Sequence, residues 1–371
     1  MINGRRKADP SKNNMKRIGI LTSGGDCPGL NAVLRGAVRA ATSLGWEVIG
    51  FKDGYEGLLN GGDYVVLDRK ITTGIGALGG TILGTTNKGH FVAKVGAGDK
   101  MAVPQHVIEE SRKTLAKLGV EGLICVGGDG SLTTALQLFE NGFQTIGVPK
   151  SIDNDLEATA TTFGFDSAVA CVSDALDRLH TTAMSHKRVM VTEVMGRHAG
   201  WIALHGGFAG GASVILIPEI PFDLDRVAEA IIRRDEAGLH STQVVVAEGA
   251  RPKDGRQMLH VTGSGEYKLG GMGEQVAREI AKRTNKETRT CVLGHLQRGG
   301  APTTKDRLLG TQFGIKAVEL IKEGKFGHMV NYQNFEVGEV SIAEAVHRLR
   351  LVKPDSQMVQ MARAVGISFG D

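Results

Sequence analysis

The 371-residue sequence predicts an α/β protein whose sheets are mostly parallel and covered by helices. Two observations lead there. Short runs that are apolar on both faces recur at 17–21, 122–126, 144–148, 188–194, 213–217, 243–247 and 290–293, as strands buried on both sides require. Amphipathic stretches lie between them, among them 31–43, 131–141 and 165–182, with apolar residues at helical spacing. In such folds ligands sit beyond the carboxyl ends of strands, and the chemically distinctive residues here follow strands.

The strand at 17–21 runs into Gly24-Gly25-Asp26-Cys27-Pro28-Gly29-Leu30-Asn31 and then a helix carrying Arg35 and Arg39. Glycines at a strand-to-helix turn let backbone N–H groups converge on an anion at the positive end of the helix. An ordinary tight turn is the plainer alternative.

The strand at 122–126 leads to Gly127-Gly128-Asp129-Gly130-Ser131. A carboxylate beside polyphosphate is unfavourable unless a cation lies between, so Asp129 reads as a ligand of Mg²⁺ bridging phosphate oxygens. As a bland alternative, it caps a helix starting near Ser131.

After 144–148 comes Pro149-Lys150-Ser151-Ile152-Asp153-Asn154-Asp155. In an extended segment the two carboxylates point to one side. One then serves as general base on an acceptor hydroxyl, while its neighbour and Asn154 hold the site in register. Lys150 is expected to keep Asp153 ionised and to meet the transferring phosphoryl group. A surface acidic turn has the same composition.

A small-residue, threonine-rich stretch at 158–164 suggests a domain boundary, after which a second βα series begins. Arg188, Met195-Gly196-Arg197, Glu248, Arg289 and His295-Leu296-Gln297-Arg298 lie at strand ends or strand-flanking turns. As a group they suit a phosphorylated sugar, with arginine and histidine for phosphate and glutamate for hydroxyls. Singly, each arginine reads as a solvated surface residue. The segment from 301 onward is expected to be helical and to return to the first domain.

Length allows roughly two ordinary domains. The net charge of +4, from 44 Lys and Arg against 40 Asp and Glu, is too balanced to argue for nucleic acid or a membrane surface. Four dispersed cysteines, Cys27, Cys125, Cys171 and Cys291, without a C-x-x-C pair, indicate neither a zinc site nor a disulfide framework. A cytoplasmic setting is expected, with a loose tail over 1–15 and no anchor.

Gly24 to Asn31, Gly127 to Ser131, Ser151 to Asp155, Met195 to Arg197 and His295 to Gly300 together resemble the signatures of 6-phosphofructokinases, in that family's order and spacing from about Arg17 to beyond Arg307. The resemblance implies two Rossmann-like three-layer domains with the active site in the cleft between them. One would comprise 16–164 plus about 297–347 and bind the donor with magnesium. The other, 165–296 plus about 348–371, would bind fructose 6-phosphate.

The implied reaction is phosphoryl transfer to the 1-hydroxyl of fructose 6-phosphate, giving fructose 1,6-bisphosphate in glycolysis, with Asp153 as base. Carried over by position, Asp129 holds Mg²⁺, while Gly25, Asn87, Lys88, Gly128, Gly130 and Ser131 face the donor. Lys150, Ser151, Asp155 and Arg197 support the reacting groups. Ile152, Met195, Gly196, Arg197, Glu248, His295, Gln297 and Arg298 surround the sugar phosphate. Arg188 and Arg289 are implied to reach that phosphate from a neighbouring subunit, so the resemblance implies a homo-oligomer, a tetramer or a dimer.

Two positions bear on the donor. Gly130 resembles the ATP-using enzymes, since pyrophosphate users carry an aspartate there whose bulk and charge collide with the nucleotide's α-phosphate. Lys150 resembles the pyrophosphate users. ATP is the expected donor, because a missing carboxylate removes a physical block whereas an added lysine supplies only another cation. Pyrophosphate dependence is the alternative.

Asn87 stands where the family's donor-binding arginine is usual. Arg35, Arg39, Arg69 and Glu219 match effector positions of regulated bacterial members. His180 replaces an arginine, and Ala237-Gly238-Leu239-His240 lacks the expected lysines, so a weak response to ADP and phosphoenolpyruvate is expected. A lipid or NAD kinase shares the Gly-Gly-Asp-Gly loop but not 151–155 or 295–300. A catalytically silent nucleotide-binding regulator is the remaining alternative.

Overall fold

The computed structural model describes residues 16–91, 101–253, 255, 259–261 and 267–371, so the expected tail over 1–15 lies outside the described residues. The first half contains β1 (Arg17–Thr22), α1 (Leu30–Ser43), β2 (Glu47–Phe51), β3 (Tyr64–Leu67), α2 (Gln105–Leu118), β4 (Val120–Gly127), α3 (Asp129–Glu140), β5 (Thr145–Ser151), β6 (Phe163–Gly164) and α4 (Phe165–His186). There follow β7 (Val189–Val194), α5 (Trp201–Ala209), β8 (Val214–Leu216), α6 (Leu224–Glu236), β9 (Thr242–Ala247), β10 (Leu259–Val261), β11 (Tyr267–Leu269), α7 (Met272–Thr284) and β12 (Thr288–Val292). The chain closes with α8 (Thr304–Glu323), β13 (His328–Gln333), β14 (Glu336–Ser341), α9 (Ile342–Ala345) and α10 (Gln357–Ala364).

Among the described residues the main sheet runs β14-β13-β5-β4-β1-β2-β3, with β6 pairing beside β5. Its centre is parallel: β1 pairs with both β2 and β4, and β4 with β5. Burial on both faces explains why β1, β4 and β5 read as continuous apolar runs. The second sheet, β12-β7-β9-β8, is parallel throughout. The expected α/β class with mostly parallel sheets is what the chain adopts.

The core is continuous across the two sheets. Ile18, Val33, Ile124 and Val148 on one side join Phe165 and Val172 of α4, then Val191, Ile215 and Val245 on the other. At the start of α4, the buried Asp306 carboxylate accepts the Ser167 N–H at 2.8 Å and its hydroxyl at 2.6 Å, fastening α4 to α8. Helices α1 and α8 approach unusually closely. A Cβ on Gly314 would stand 2.2 Å from Val33 O, and one on Gly36 would stand 2.4 Å from Thr311 O, so only glycine fits either place.

The expectation of continuous helix beyond 301 is corrected. Helix α8 ends at Gly324, which has φ 72°, and an antiparallel hairpin follows, β13 joining β5 and pairing with β14. The final segment then returns to the second sheet, where Ser368 bridges Val214 and Phe369 is buried.

Candidate active site

Loops at the carboxyl ends of β1, β4 and β5 meet the 195–198 loop after β7 around a cavity of about 270 Å³. The glycine turn after β1 is pinned at both ends. Ser23 N–H donates to Val126 O at 2.9 Å, Gly24 N–H to Thr86 O at 2.9 Å, and Thr85 Oγ1 to Gly24 O at 2.6 Å. Beside it, Ser131 Oγ reaches Ser23 Oγ at 3.1 Å.

Two expectations about helix ends are corrected here. Helix α1 starts only at Leu30, and Gly29 before it is pressed against Phe163, so the turn at Gly24 and Gly25 does not place that helix end in the cavity. The helix terminus that faces the cavity belongs to α3. Its first residue is Asp129, preceded by Gly128 as N-cap, so Asp129 sits in the first turn and is not the cap. Exposed N–H groups at such a terminus favour anionic ligands.

The acidic turn departs from the expected extended form. Asn154 has φ 52°, a left-handed conformation, and its Oδ1 accepts the Thr162 N–H at 3.1 Å. Ser151 Oγ donates to Asp155 Oδ1 at 2.6 Å and accepts the Asp153 N–H at 3.2 Å. Both carboxylates still face the cavity. Thr162 Oγ1, bonded to Ser151 O at 2.6 Å, buttresses the turn from behind.

Lys150 is buried, and its Nζ donates to Gly25 O at 2.5 Å. Burial lowers its pKa. Asp153 moves the other way: desolvation and then Asp155 raise it to about 7, against the opposing pull of Arg298, Lys150 and Arg197. The expectation that Lys150 keeps Asp153 ionised is therefore corrected, since one cation does not outweigh burial beside a second carboxylate. Asp155 is also raised, chiefly by burial. Glu248 is raised to about 7 by burial and the Asp153 charge. Asp153 Oδ1 is buried and lacks a hydrogen-bond partner among the described residues.

The cavity gathers Gly25, Asn87, Lys88, Gly128, Asp129, Gly130, Ser131, Lys150, Ser151, Ile152, Asp153, Asp155, Arg197 and Arg298 from the expected set. Met195, Gly196, Glu248, His295 and Gln297 do not line it. Gln297, buried, accepts the Met195 N–H at 3.2 Å and donates to Gly294 O at 3.0 Å, joining the loops after β7 and β12. A Cβ on Gly249 would fall 2.0 Å from Arg197 O, so the turn carrying Glu248 presses its backbone on the Met195-Gly196-Arg197 loop. His295 lies in the turn following β12.

Arg188 and Arg289 are not brought to this cavity. Arg188 precedes β7 while Met195 follows it, placing them roughly 20 Å apart at the usual strand rise. Arg289 pairs in register with Met190 on edge strand β12. Glu287 joins the two arginines, at 3.2 Å from Arg188 and 2.7 Å from Arg289. Of the residues matching effector positions, Arg39 reaches Thr73 and Arg69 reaches Ser43, whereas Glu219 accepts the N–H groups of Gly200 and Val352.

Sequence reasoning missed Tyr55, Glu56, Phe91, His198 and Leu349, which also line the cavity. Tyr55 stacks on Phe91 with centroids 5.4 Å apart and donates its hydroxyl to Ser131 O at 2.7 Å. The one available signal was an aromatic residue in the turn directly after an apolar run at 47–51. Among the described residues no helix is long and apolar enough to cross a membrane.

The phosphofructokinase family model matches residues 17–321. The chain is 51% identical to the ATP-dependent 6-phosphofructokinase of Chloroflexus aurantiacus over 356 residues, covering 96% of this chain and 98% of the relative. It is 48% identical to the pyrophosphate--fructose 6-phosphate 1-phosphotransferase of Streptomyces coelicolor, covering 95% and 100%. Among solved structures, Pichia pastoris phosphofructokinase in the T-state superposes with a TM-score of 0.80 at 30% identity, covering 98% of this chain but only 38% of that longer one. With this extent of match added to a cavity that unites the glycine loops and the acidic turn, the chain belongs to the phosphofructokinase family.

Proposed function

We propose that the chain transfers the terminal phosphoryl group of ATP to the 1-hydroxyl of fructose 6-phosphate, releasing ADP and fructose 1,6-bisphosphate. The observation that carries this reading is that Asp153 and Asp129 line one cavity, an acceptor base and a donor-side carboxylate sharing a reaction centre. The relative from Chloroflexus aurantiacus supports ATP as donor.

Asp153 takes the proton of the 1-hydroxyl, and the freed oxygen attacks the terminal phosphorus in line with the departing ADP. A base with a pKa near 7 suits this task at neutral pH. Its unpartnered Oδ1 supports that role. Asp155 and Ser151 hold the turn, and Lys150, Arg197 and Arg298 surround the carboxylate with positive charge. The N–H groups opening α3, with Gly25, Gly130 and Ser131 around them, receive the donor phosphates; Asn87 and Lys88 flank them.

A divalent cation fits the donor side. Magnesium ordinarily takes one or two protein carboxylates and completes its shell with phosphates and water. Asp129 in the first turn of α3 supplies such a carboxylate, and among the described residues no larger cluster of metal ligands competes. When bound there, Mg²⁺ neutralises phosphate charge next to Asp129.

On the acceptor side, Met195, Gly196, Arg197, Glu248, His295, Gln297 and Arg298 form the sugar-phosphate wall. Arg188 and Arg289 serve the same site of a neighbouring copy in a homo-oligomer. Their distance from their own cavity supports this, as does a buried Arg188 Nε that has no hydrogen-bond partner among the described residues. We assign 16–164 with about 297–347 to a donor domain and 165–296 with about 348–371 to an acceptor domain; the division of strands between the two sheets supports this. Cytoplasmic glycolysis is the setting proposed.

A second reading, pyrophosphate as donor, has one feature in its favour: buried Lys150 stands on the donor side beside Gly25. A coupled assay with each donor separates the two. Turnover with ATP is expected, with Asp153→Ser abolishing it; exclusive use of pyrophosphate refutes the choice of donor.

A further inference from the structure

One part of the cavity's frame has no role in the reaction as described. Residues 348–352, between α9 and α10, cross from the catalytic turn to the start of α5. On the first side, Arg350 N–H donates to Asp155 O at 2.8 Å, and Leu349 pairs with Leu156. Arg350 Nη1 donates to Ala160 O at 2.9 Å, and Arg348 Nε meets Glu157 Oε2 at 2.5 Å. On the second side, Trp201 Nε1 donates to Arg350 O at 2.8 Å, and the Arg350 guanidinium lies 4.6 Å from the Trp201 ring centroid. Val352 N–H donates to Glu219 Oε1 at 2.8 Å, and the same carboxylate accepts Gly200 N–H at 2.9 Å.

Gly200 and Trp201 open α5 directly after Arg197 and His198, which line the cavity. The strap's bonds thus fall on Asp155 and the segment following it, on Trp201, and on Glu219, whose carboxylate also holds Gly200, and Arg350 alone engages both walls with backbone and side chain. We infer that Arg350 is a positioning residue that sets the separation between the Asp153–Asp155 turn and the Arg197 loop. This rests on the reading of Asp153 as base. Arg350 itself does not line the cavity, so it acts only through the two loops it joins.

The guanidinium is partly buried, and desolvation lowers its pKa. Placing a cation there is costly unless partners compensate, and stacking on Trp201 with one carbonyl bond does so. A merely stabilising contact would affect unfolding alone. A spacer would affect turnover in the folded protein, because small misplacements of reacting groups are expensive in rate.

The test uses the full chain with Arg350→Ala, Arg350→Lys, Trp201→Phe and the double variant Arg350→Ala/Trp201→Phe. Val359→Ala, in the buried face of α10, is the stability control. Arg350→Ala is expected to lower kcat about ten- to a hundredfold, with the ATP KM held within about twofold. Arg350→Lys, which keeps a cation over the indole, should recover most of the loss. The double variant should lose no more than Arg350→Ala, as expected of two parts of one device. Val359→Ala should lower Tm without changing kcat at temperatures where it is folded. The proposal is overturned if Arg350→Ala keeps full kcat, or if its loss merely follows Tm as in the control. Asp153→Ser separates the two readings. If it retains turnover, the assignment of the base fails; if it is inactive while Arg350→Ala is fully active, the strap alone fails.

Discussion

Replacing Asp153 by Asn should stabilise the protein while abolishing its chemistry. Burial and the neighbouring Asp155 raise the Asp153 pKa from 3.8 to about 7. Each pH unit of that displacement is worth about 1.4 kcal/mol, so ionised Asp153 costs the folded state at most about 4 kcal/mol. Relaxation of the neighbouring charges reduces this to about 2–4 kcal/mol. The sign follows from proton counting. The folded-state pKa exceeds the unfolded one, so the neutral acid's advantage is complete below about 4 and is lost as pH rises to about 7. Asparagine never bears the charge, so its advantage over aspartate grows across that window. Thermal unfolding of both proteins at pH 5 and pH 8 measures it: the gain should be larger at pH 8 by about 2 kcal/mol. Removal of the base should lower kcat by about 10³-fold or more. An equal gain at both pH values, or destabilisation at pH 8, would refute the account of this carboxylate as desolvated and crowded by like charge.

Three further outcomes are expected. Gly249→Ala places a methyl 2.0 Å from Arg197 O, so the loop must move, and kcat/KM for fructose 6-phosphate of the folded enzyme should drop about tenfold alongside a lowered Tm; unaltered kinetics would mean that the loop contact is irrelevant. Gly314→Ala drives a methyl into Val33 O and should cost about 3 kcal/mol of stability in chemical denaturation, leaving kcat of the folded enzyme intact. The kcat/KM profile should fall on the acid side of about 7 as Asp153 gains its proton, and a profile flat to pH 5 would argue against that base.

The strands that carry the site were legible because they are central and buried on both faces, which leaves apolar runs with glycine or acid at their ends. The margins of the first sheet were not. Strand β3 is a four-residue apolar run ending at Asp68, but it is partly exposed and pairs antiparallel at the sheet margin, and so short a run does not distinguish a strand from a loop. Hairpin β13–β14 alternates polar and apolar residues and turns through Asn334-Phe335, both with positive φ, without the glycine that ordinarily marks such a turn. In the site, the glycine loops and carboxylates lie directly after strands, where residue type signals chemistry. Phe91 and Leu349 are brought in by tertiary contacts alone, and nothing in their local sequence distinguishes them; Tyr55 offers only its place in the turn after β2. The Asp153 charge state was misjudged for a related reason: the sequence places Lys150 near it, but burial is a property of the folded cavity.

The route of the chain's final segment has a consequence for biosynthesis. One bridging residue on the second sheet, Ser368, the brace on Asp155 and the buried Phe369 are all supplied by residues 349–371. These emerge from the ribosome after every other strand of both sheets. A nascent protein can therefore lay down its glycine loops and acidic turn early yet cannot brace the cleft until this segment has left the ribosome and is free to dock.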